Sequence, residues 1–207
     1  MKLILVRHGE TYWNDERRVQ GGESDIELND TGLEQARKLA AFLKNEPITA
    51  VLSSPLQRAT ATAEVIASHH RLAVEVDQGL RELKVGELEG MSVSNLSTTF
   101  SQYLMQWWQD GGTIKLPNGE SLVELQQRAW KAVERLLERH KRNSPEHNEG
   151  TTVVVVSHYF VTLAIILKAL DLPLDYFTKF KVDLGGVSIL EIRDYGTRLV
   201  TFNDTSY

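Results

Sequence analysis

The residues of this chain that can do chemistry sit where short apolar runs stop. Leu3-Ile4-Leu5-Val6 ends at Arg7-His8-Gly9, and Thr152-Val153-Val154-Val155-Val156 ends at Ser157-His158. A third run, Thr49-Ala50-Val51-Leu52, passes through Ser53-Ser54-Pro55 to Arg58. Continuous apolar runs of this length belong to strands buried in an α/β sheet. Ligands of such sheets bind beyond the carboxyl ends of the strands. If the three strands are neighbours, Arg7, His8, Arg58 and His158 converge. Gly9, lacking a Cβ, is expected to let the backbone approach a ligand closely.

Two arginines and two histidines suit an anion. The planar guanidinium fork matches the oxygens of a phosphate in pairs. Phosphoryl transfer asks chiefly that spread negative charge be held and that attacking and leaving groups be aligned. A metal centre is the rival, with the histidines as ligands. The adjacent arginines repel a cation, and no carboxylate or further histidine follows at ligand spacing. Cys is absent, which removes a thiol nucleophile, and no Gly-x-Ser-x-Gly elbow surrounds a serine. A neutral imidazole remains as nucleophile. Its attack on phosphorus forms a phosphohistidine and splits one hard displacement into two easier ones. Its second nitrogen is expected on a backbone carbonyl that fixes the tautomer.

These side chains need elements to carry them. Ser54 reads as an N-cap, with Pro55 at the first helical position and Gln57 completing a capping box, so Arg58 falls in the first turn or just after it. Thr31-Gly32-Leu33-Glu34 reads as a second capping box, ahead of a stripe at Leu33, Ala36, Leu39, Ala40 and Leu43. Between them and the first strand, residues 11–25 form a polar loop with Trp13, Arg17 and Gly21-Gly22. Leu72, Val74 and Val76 alternate as in a half-exposed strand. Leu80-Arg81-Glu82-Leu83 is irregular and precedes a turn over residues 86–90. Residues 91–116 change composition, with Phe100, Tyr103, Leu104, Met105, Trp107 and Trp108. They are expected as a helical insertion over the site, most of its aromatics belonging to the core. Ser121-Leu122-Val123-Glu124 is a third capping box and opens a long amphipathic helix to about Arg142. Residues 143–150 are a polar loop, and His140 and His147 read as solvated. His69-His70 end a helix. Another helix follows His158 to about Leu170, and strands near residues 187–192 and 199–202 close the sheet. The expected fold class is α/β: a single three-layer domain over residues 1–207, with a mostly parallel central sheet and helices on both faces.

Composition sets outer bounds. A chain of 207 residues, 42% hydrophobic and 25% charged, can bury one sizeable core. It contains no apolar run long enough for a membrane span and no signal-peptide pattern, so a cytoplasmic location is expected. A net charge of −5 argues against general nucleic-acid binding, while arginines gathered at one point suit a small anion.

Arg7-His8-Gly9-Glu10-Thr11, Ser53-Ser54-Pro55-Leu56-Gln57-Arg58-Ala59 and Ser157-His158 resemble, in that order, the motifs of the histidine phosphatase superfamily, in its phosphoglycerate-mutase-like branch. Asn14, Arg18-Val19-Gln20-Gly21, Leu80-Arg81-Glu82 with Gly86-Glu87-Leu88-Glu89-Gly90, and Pro117-Asn118-Gly119-Glu120-Ser121 extend the likeness nearly end to end. The resemblance implies His8 as nucleophile and Glu82, rather than Glu87 or Glu89, as the acid that protonates the leaving group. Arg7, Arg58 and a charged His158 would clamp the phosphoryl oxygens, with Asn14 as a neutral donor. Arg18, and Gln20 and Gly21 beside it, would contact the substrate. Tyr159 and Phe160 stand where the family often has glycine, and Tyr159 is expected to narrow the pocket or offer a stacking surface. Residues 91–116 fall where the family sets specificity.

The activity implied is hydrolysis of small phosphate esters without a metal or other cofactor. Phe202-Asn203-Asp204-Thr205 resembles the close of α-ribazole and broad-specificity phosphatases. Two alternatives stand beside it. One is a primed phosphoglycerate mutase, told apart by dependence on a bisphosphoglycerate. The other is a non-catalytic phospho-ligand module, whose usual mark is loss of His8, Arg58, Glu82 or His158. The expected partner is a small phosphate ester, with no nucleic acid or membrane, on a monomer or homodimer.

Overall fold

The computed structural model describes residues 1–110, 112–143 and 151–207. The expected loop of residues 143–150 and His147 fall outside the described residues, apart from the backbone of Asn143, and so does the side chain of His140.

Six strands form one sheet: β1 (Lys2–Arg7), β2 (Ile48–Ser53), β3 (Val74–Val76), β4 (Thr152–Ser157), β5 (Val187–Arg193) and β6 (Gly196–Asp204), in the order β3-β2-β4-β1-β5-β6. β1, β2, β3 and β4 run parallel, while β5 and β6 join antiparallel at one side. The helices are α1 (Tyr12–Asp15), α2 (Asp30–Leu43), α3 (Gln57–His70), α4 (Val93–Thr99), α5 (Ser101–Gln109), α6 (Leu122–Asn143) and α7 (Tyr159–Ala169). The chain is thus the mixed α/β domain that the apolar runs predict.

Both faces of the central strands are covered, which is why they read as unbroken apolar runs rather than alternating ones. Ile4, Val6, Val51, Val154 and Val156 pack with Leu39, Ala40 and Leu43 of α2 and Ala59, Ala63 and Ile66 of α3. Leu3, Leu5, Leu52, Val153 and Val155 face the other way, onto α6 and α7. Residues Val161–Leu167 of α7 are all buried, as expected of a helix that is apolar all round. Full burial of each Leu, Ile or Val stabilises the fold by about 1.5–3 kcal/mol.

Two helix starts differ from the sequence expectation. Asn29, not Thr31, caps α2, its side chain accepting from the Gly32 N–H. α3 begins at Gln57, and its N-cap, Leu56, offers no side-chain acceptor. The Gln57 N–H is instead met from a distant loop by Asp25 Oδ1 at 2.7 Å. Ser121 and Glu124 do make the reciprocal bonds of a capping box at α6. The polar loop after β1 also holds a helical turn, α1, closed by a capping box between Thr11 and Asn14. Gly9 differs too. A Cβ there would lie 2.5 Å from the Gly32 carbonyl oxygen, so its bareness lets β1's exit pass the start of α2.

Candidate active site

β1 and β4 pair in register, Arg7 beside Ser157. The next residues, His8 and His158, therefore emerge side by side, and the His8 N–H bonds the Ser157 carbonyl at 3.0 Å. β2 runs along β4's other side with Ser53 opposite Val156, and the turn after it delivers Arg58 at the second residue of α3. Both histidines and Arg58 are buried.

Each group is held in a definite way. His8 Nδ1 lies 2.7 Å from its neighbour's carbonyl, Gly9 O. An N–H on Nδ1 leaves Nε2 with a free lone pair. His158 Nε2 lies 2.7 Å from Ser54 Oγ, so the serine expected as a helix cap is committed to the second histidine. Arg7 Nη1 donates to the Val182 carbonyl at 2.7 Å. Arg58 donates through Nη1 to Ser24 O at 3.0 Å and through Nη2 to Gly21 O at 2.8 Å. The Nε of both arginines is buried without a protein partner among the described residues. Neither guanidinium is matched there by a bonded carboxylate, as a buried structural arginine would be.

Electrostatics follow from burial. Arg58 is lowered to about 10 by desolvation, against the pull of Glu82, Glu89 and Asp25, and remains a cation at neutral pH. Burial, then Arg58, then Arg7 hold His8 well below its usual range. Burial with Arg58, His8 and Arg7 does the same to His158. Without a neighbouring anion, burial and the arginines favour the neutral form of both imidazoles; the charge expected on His158 belongs to the site with a phosphoryl group between the arginines. Glu82 is moved the other way, its pKa raised by burial against the backbone N–H groups of Leu83 and Phe160. Those N–H groups meet Glu82 Oε1 at 2.7 Å and Oε2 at 3.3 Å. Glu82 is no surface partner of Arg81, whose Nε donates instead to Gly22 O.

The outer residues divide. Asn14 Oδ1 accepts from the Thr11 N–H at 3.1 Å. Gln20 Oε1 accepts from the Thr11 hydroxyl at 3.0 Å, and Gln20 Nε2 is buried without a partner among the described residues. Gly21 supplies its carbonyl to Arg58. Arg18, by contrast, is exposed, with Nε on Glu16 Oε2 at 2.7 Å. The Arg7 guanidinium lies 5.3 Å from the centre of the Tyr159 ring, and the Tyr159 hydroxyl donates to Phe180 O at 3.2 Å.

Several supports escaped sequence reasoning. Arg128 gathers the carbonyls of Gly79, Arg81 and Glu82 while pairing with Glu120. Ser157 Oγ donates to Leu80 O at 2.8 Å. Glu89, read as a turn residue, accepts the Gly21 N–H at 2.9 Å. Among the described residues, no three His, Asp or Glu side chains gather as a metal set, and no helix is long and apolar enough to cross a membrane.

The family model of the histidine phosphatase superfamily, branch 1, matches residues 3–205. "Probable phosphoglycerate mutase GpmB" of Yersinia pestis is 35% identical over 173 residues, covering 84% of this chain and 76% of that protein. A mycobacterial glucosyl-3-phosphoglycerate phosphatase, solved with VO3, superposes with a TM-score of 0.88 at 26% identity over 99% of both chains. The α-ribazole phosphatase of Shigella flexneri gives 0.84 at 28% identity, over 99% of this chain and 96% of that one. The chain belongs to branch 1 of the histidine phosphatase superfamily and is an enzyme of the phosphatase kind.

Proposed function

We propose that the chain hydrolyses small phosphomonoesters through a phosphohistidine on His8, without a metal. The observation that carries this is the tautomer lock, His8 Nδ1 on Gly9 O at 2.7 Å, on a ring that burial and two arginines keep neutral. His8 Nε2 attacks phosphorus in line with the ester oxygen. Arg7, Arg58 and His158 take the phosphoryl oxygens, and Asn14 Nδ2 adds a neutral donor. Glu82, whose burial favours the protonated form, gives its proton to the leaving alkoxide. As a carboxylate it then deprotonates the water that attacks the phosphohistidine and frees phosphate. Gln20 and Gly21 border the anion through Thr11 and Arg58, and Arg18 stands further out. Tyr159 walls the Arg7 side.

Residues 91–116 act as the specificity wall. Trp107 of α5 packs on Phe160 with ring centroids 5.8 Å apart, beside the N–H that binds Glu82. α-Ribazole phosphate and a broader set of small esters are the substrates favoured. The Yersinia relative supports a second reading, a primed mutase that returns the phosphoryl group to a second hydroxyl.

The test is phosphate release from α-ribazole phosphate, phosphoserine, 3-phosphoglycerate and nitrophenyl phosphate, with and without EDTA. Release that survives chelation supports the metal-free route. Silence on every ester, together with bisphosphoglycerate-dependent mutase turnover, overturns the hydrolase in favour of the mutase.

A further inference from the structure

The run Phe202-Asn203-Asp204-Thr205 has no place in the chemistry above, yet it packs against the loop that holds the backbone of Arg7 and His8. Asn203 sits in β6 with φ +53, a left-handed conformation that asparagine adopts far more readily than most residues. Its own N–H donates to Ser188 Oγ at 3.0 Å. Its side chain grips the neighbouring loop at both ends of one residue. Oδ1 accepts from the Asp183 N–H at 2.7 Å, and Nδ2 donates to Asp183 Oδ2 at 2.8 Å. Tyr207 grips the same loop two residues on, its hydroxyl donating to Gly185 O at 2.7 Å. The fit is close: a Cβ on Gly186 would strike Asn203 Oδ1, and one on Gly185 would lie 2.7 Å from the Tyr207 hydroxyl.

The loop's other side holds the site. The Gly185 N–H is shared between the carbonyls of Arg7 and His8, each at 3.1 Å, and the Arg7 N–H donates to Gly186 O at 3.1 Å. Val182 O fixes the Arg7 guanidinium at 2.7 Å. Asp183 adds a compensating charge near Arg7.

We propose that Asn203, seconded by Tyr207, is a positioning residue for anion binding. It sets residues 182–186 so that Val182 aims the Arg7 guanidinium and Gly185-Gly186 hold the Arg7-His8 backbone. This rests on Arg7 and His8 forming the anion site.

The test is a double-mutant cycle on the full chain, read as the affinity for inorganic vanadate by calorimetry. Asn203→Ala should weaken vanadate about tenfold when Arg7 is present and clearly less in an Arg7→Ala background, where only the His8 backbone is left to set, since coupled residues are non-additive. Equal weakening in both backgrounds, or none in either, overturns the proposal. A residue that only stabilises the fold would lower the melting temperature without this coupling. If Asn203→Ala fails to fold, Asn203→Gly, which keeps the left-handed backbone unstrained, and Tyr207→Phe, which removes one hydroxyl, enter the same cycle, and additivity there overturns it equally. A wild-type chain that binds vanadate without coupling sinks this inference alone. One that binds no vanadate sinks the anion site with it. Ester turnover is judged separately.

Discussion

The rings of His8 and His158 stand with centroids 5.1 Å apart, tilted by 60°, at the ends of two strands paired in register. Two cations, Arg7 and Arg58, share their enclosure. Neither imidazole can take a proton cheaply beside these cations unless an anion enters between them.

That neutrality has a pH signature in stability. Both histidines are held below their ordinary value of 6.5 in the folded chain, so below 6.5 the unfolded chain binds more protons. Their contribution is complete above about pH 6.5 and is lost as pH falls, by at most about 1.4 kcal/mol per pH unit for each histidine. Glu82 has the opposite sign. Raised from 4.5, it makes the folded chain bind the extra proton, so its burial costs stability as pH rises above 4.5. Urea unfolding from pH 5 to 8 should show His158→Asn flattening the acid loss. Glu82→Gln should gain on the wild type at pH 8 and not at pH 4.5.

His8→Ala should abolish turnover while keeping most vanadate affinity, because Arg7, Arg58 and His158 remain. Acid-quenched protein mixed with labelled ester should carry phosphate in the wild type and none in the variant. Substantial turnover by His8→Ala would remove the histidine from the nucleophile's role.

Glu82→Gln should slow alkyl phosphates by about a hundredfold or more, the usual weight of a positioned general acid. Nitrophenyl phosphate, whose leaving group needs little protonation, should slow far less. Rates on a series of esters graded by leaving-group pKa decide this: equal slowing across the series would exclude Glu82 as the acid.

Arg58→Ala should cost on the order of a hundredfold or more in kcat, the scale of losing one preorganised charge contact in the transition state. Asp25→Ala removes the acceptor for the Gln57 N–H and side-chain amide, and one negative charge near Arg58, but leaves the guanidinium in place. It should cost about 1 kcal/mol of stability, as caps do, with a severalfold effect on kcat. Steady-state kinetics and thermal melts of the two variants separate charge contact from helix start.

Much of this was legible because buried parallel strands advertise themselves locally. Leu3-Ile4-Leu5-Val6 and Val153-Val154-Val155-Val156 leave no solvent face, and the polar residues that stop them had to lie at the sheet's carboxyl edge. Helix starts were less legible. Ser54 has the right chemistry for a cap, but its hydroxyl binds His158, 104 residues away. The cap's work passes to Asp25, 32 residues upstream. The full burial that lowers His158 was not legible, because chemical type does not reveal burial. Arg128 and Asn203 were invisible as supports: their partners lie 46–49 and 15–20 residues off, beyond any local period.

The strand order also carries a consequence for how the enzyme comes into being. β4 lies between β2 and β1, yet it leaves the ribosome about a hundred residues after β2. Until then the two earlier strands have no shared neighbour, and each presents an open apolar edge of the sort that pairs with the wrong chain. Insertion of this one strand joins β2 to β1 and sets the second histidine beside the first. The two histidines thus meet only late in synthesis, and the site is complete later still, once residues 182–186 reach Arg7 and β5 covers β1's other edge.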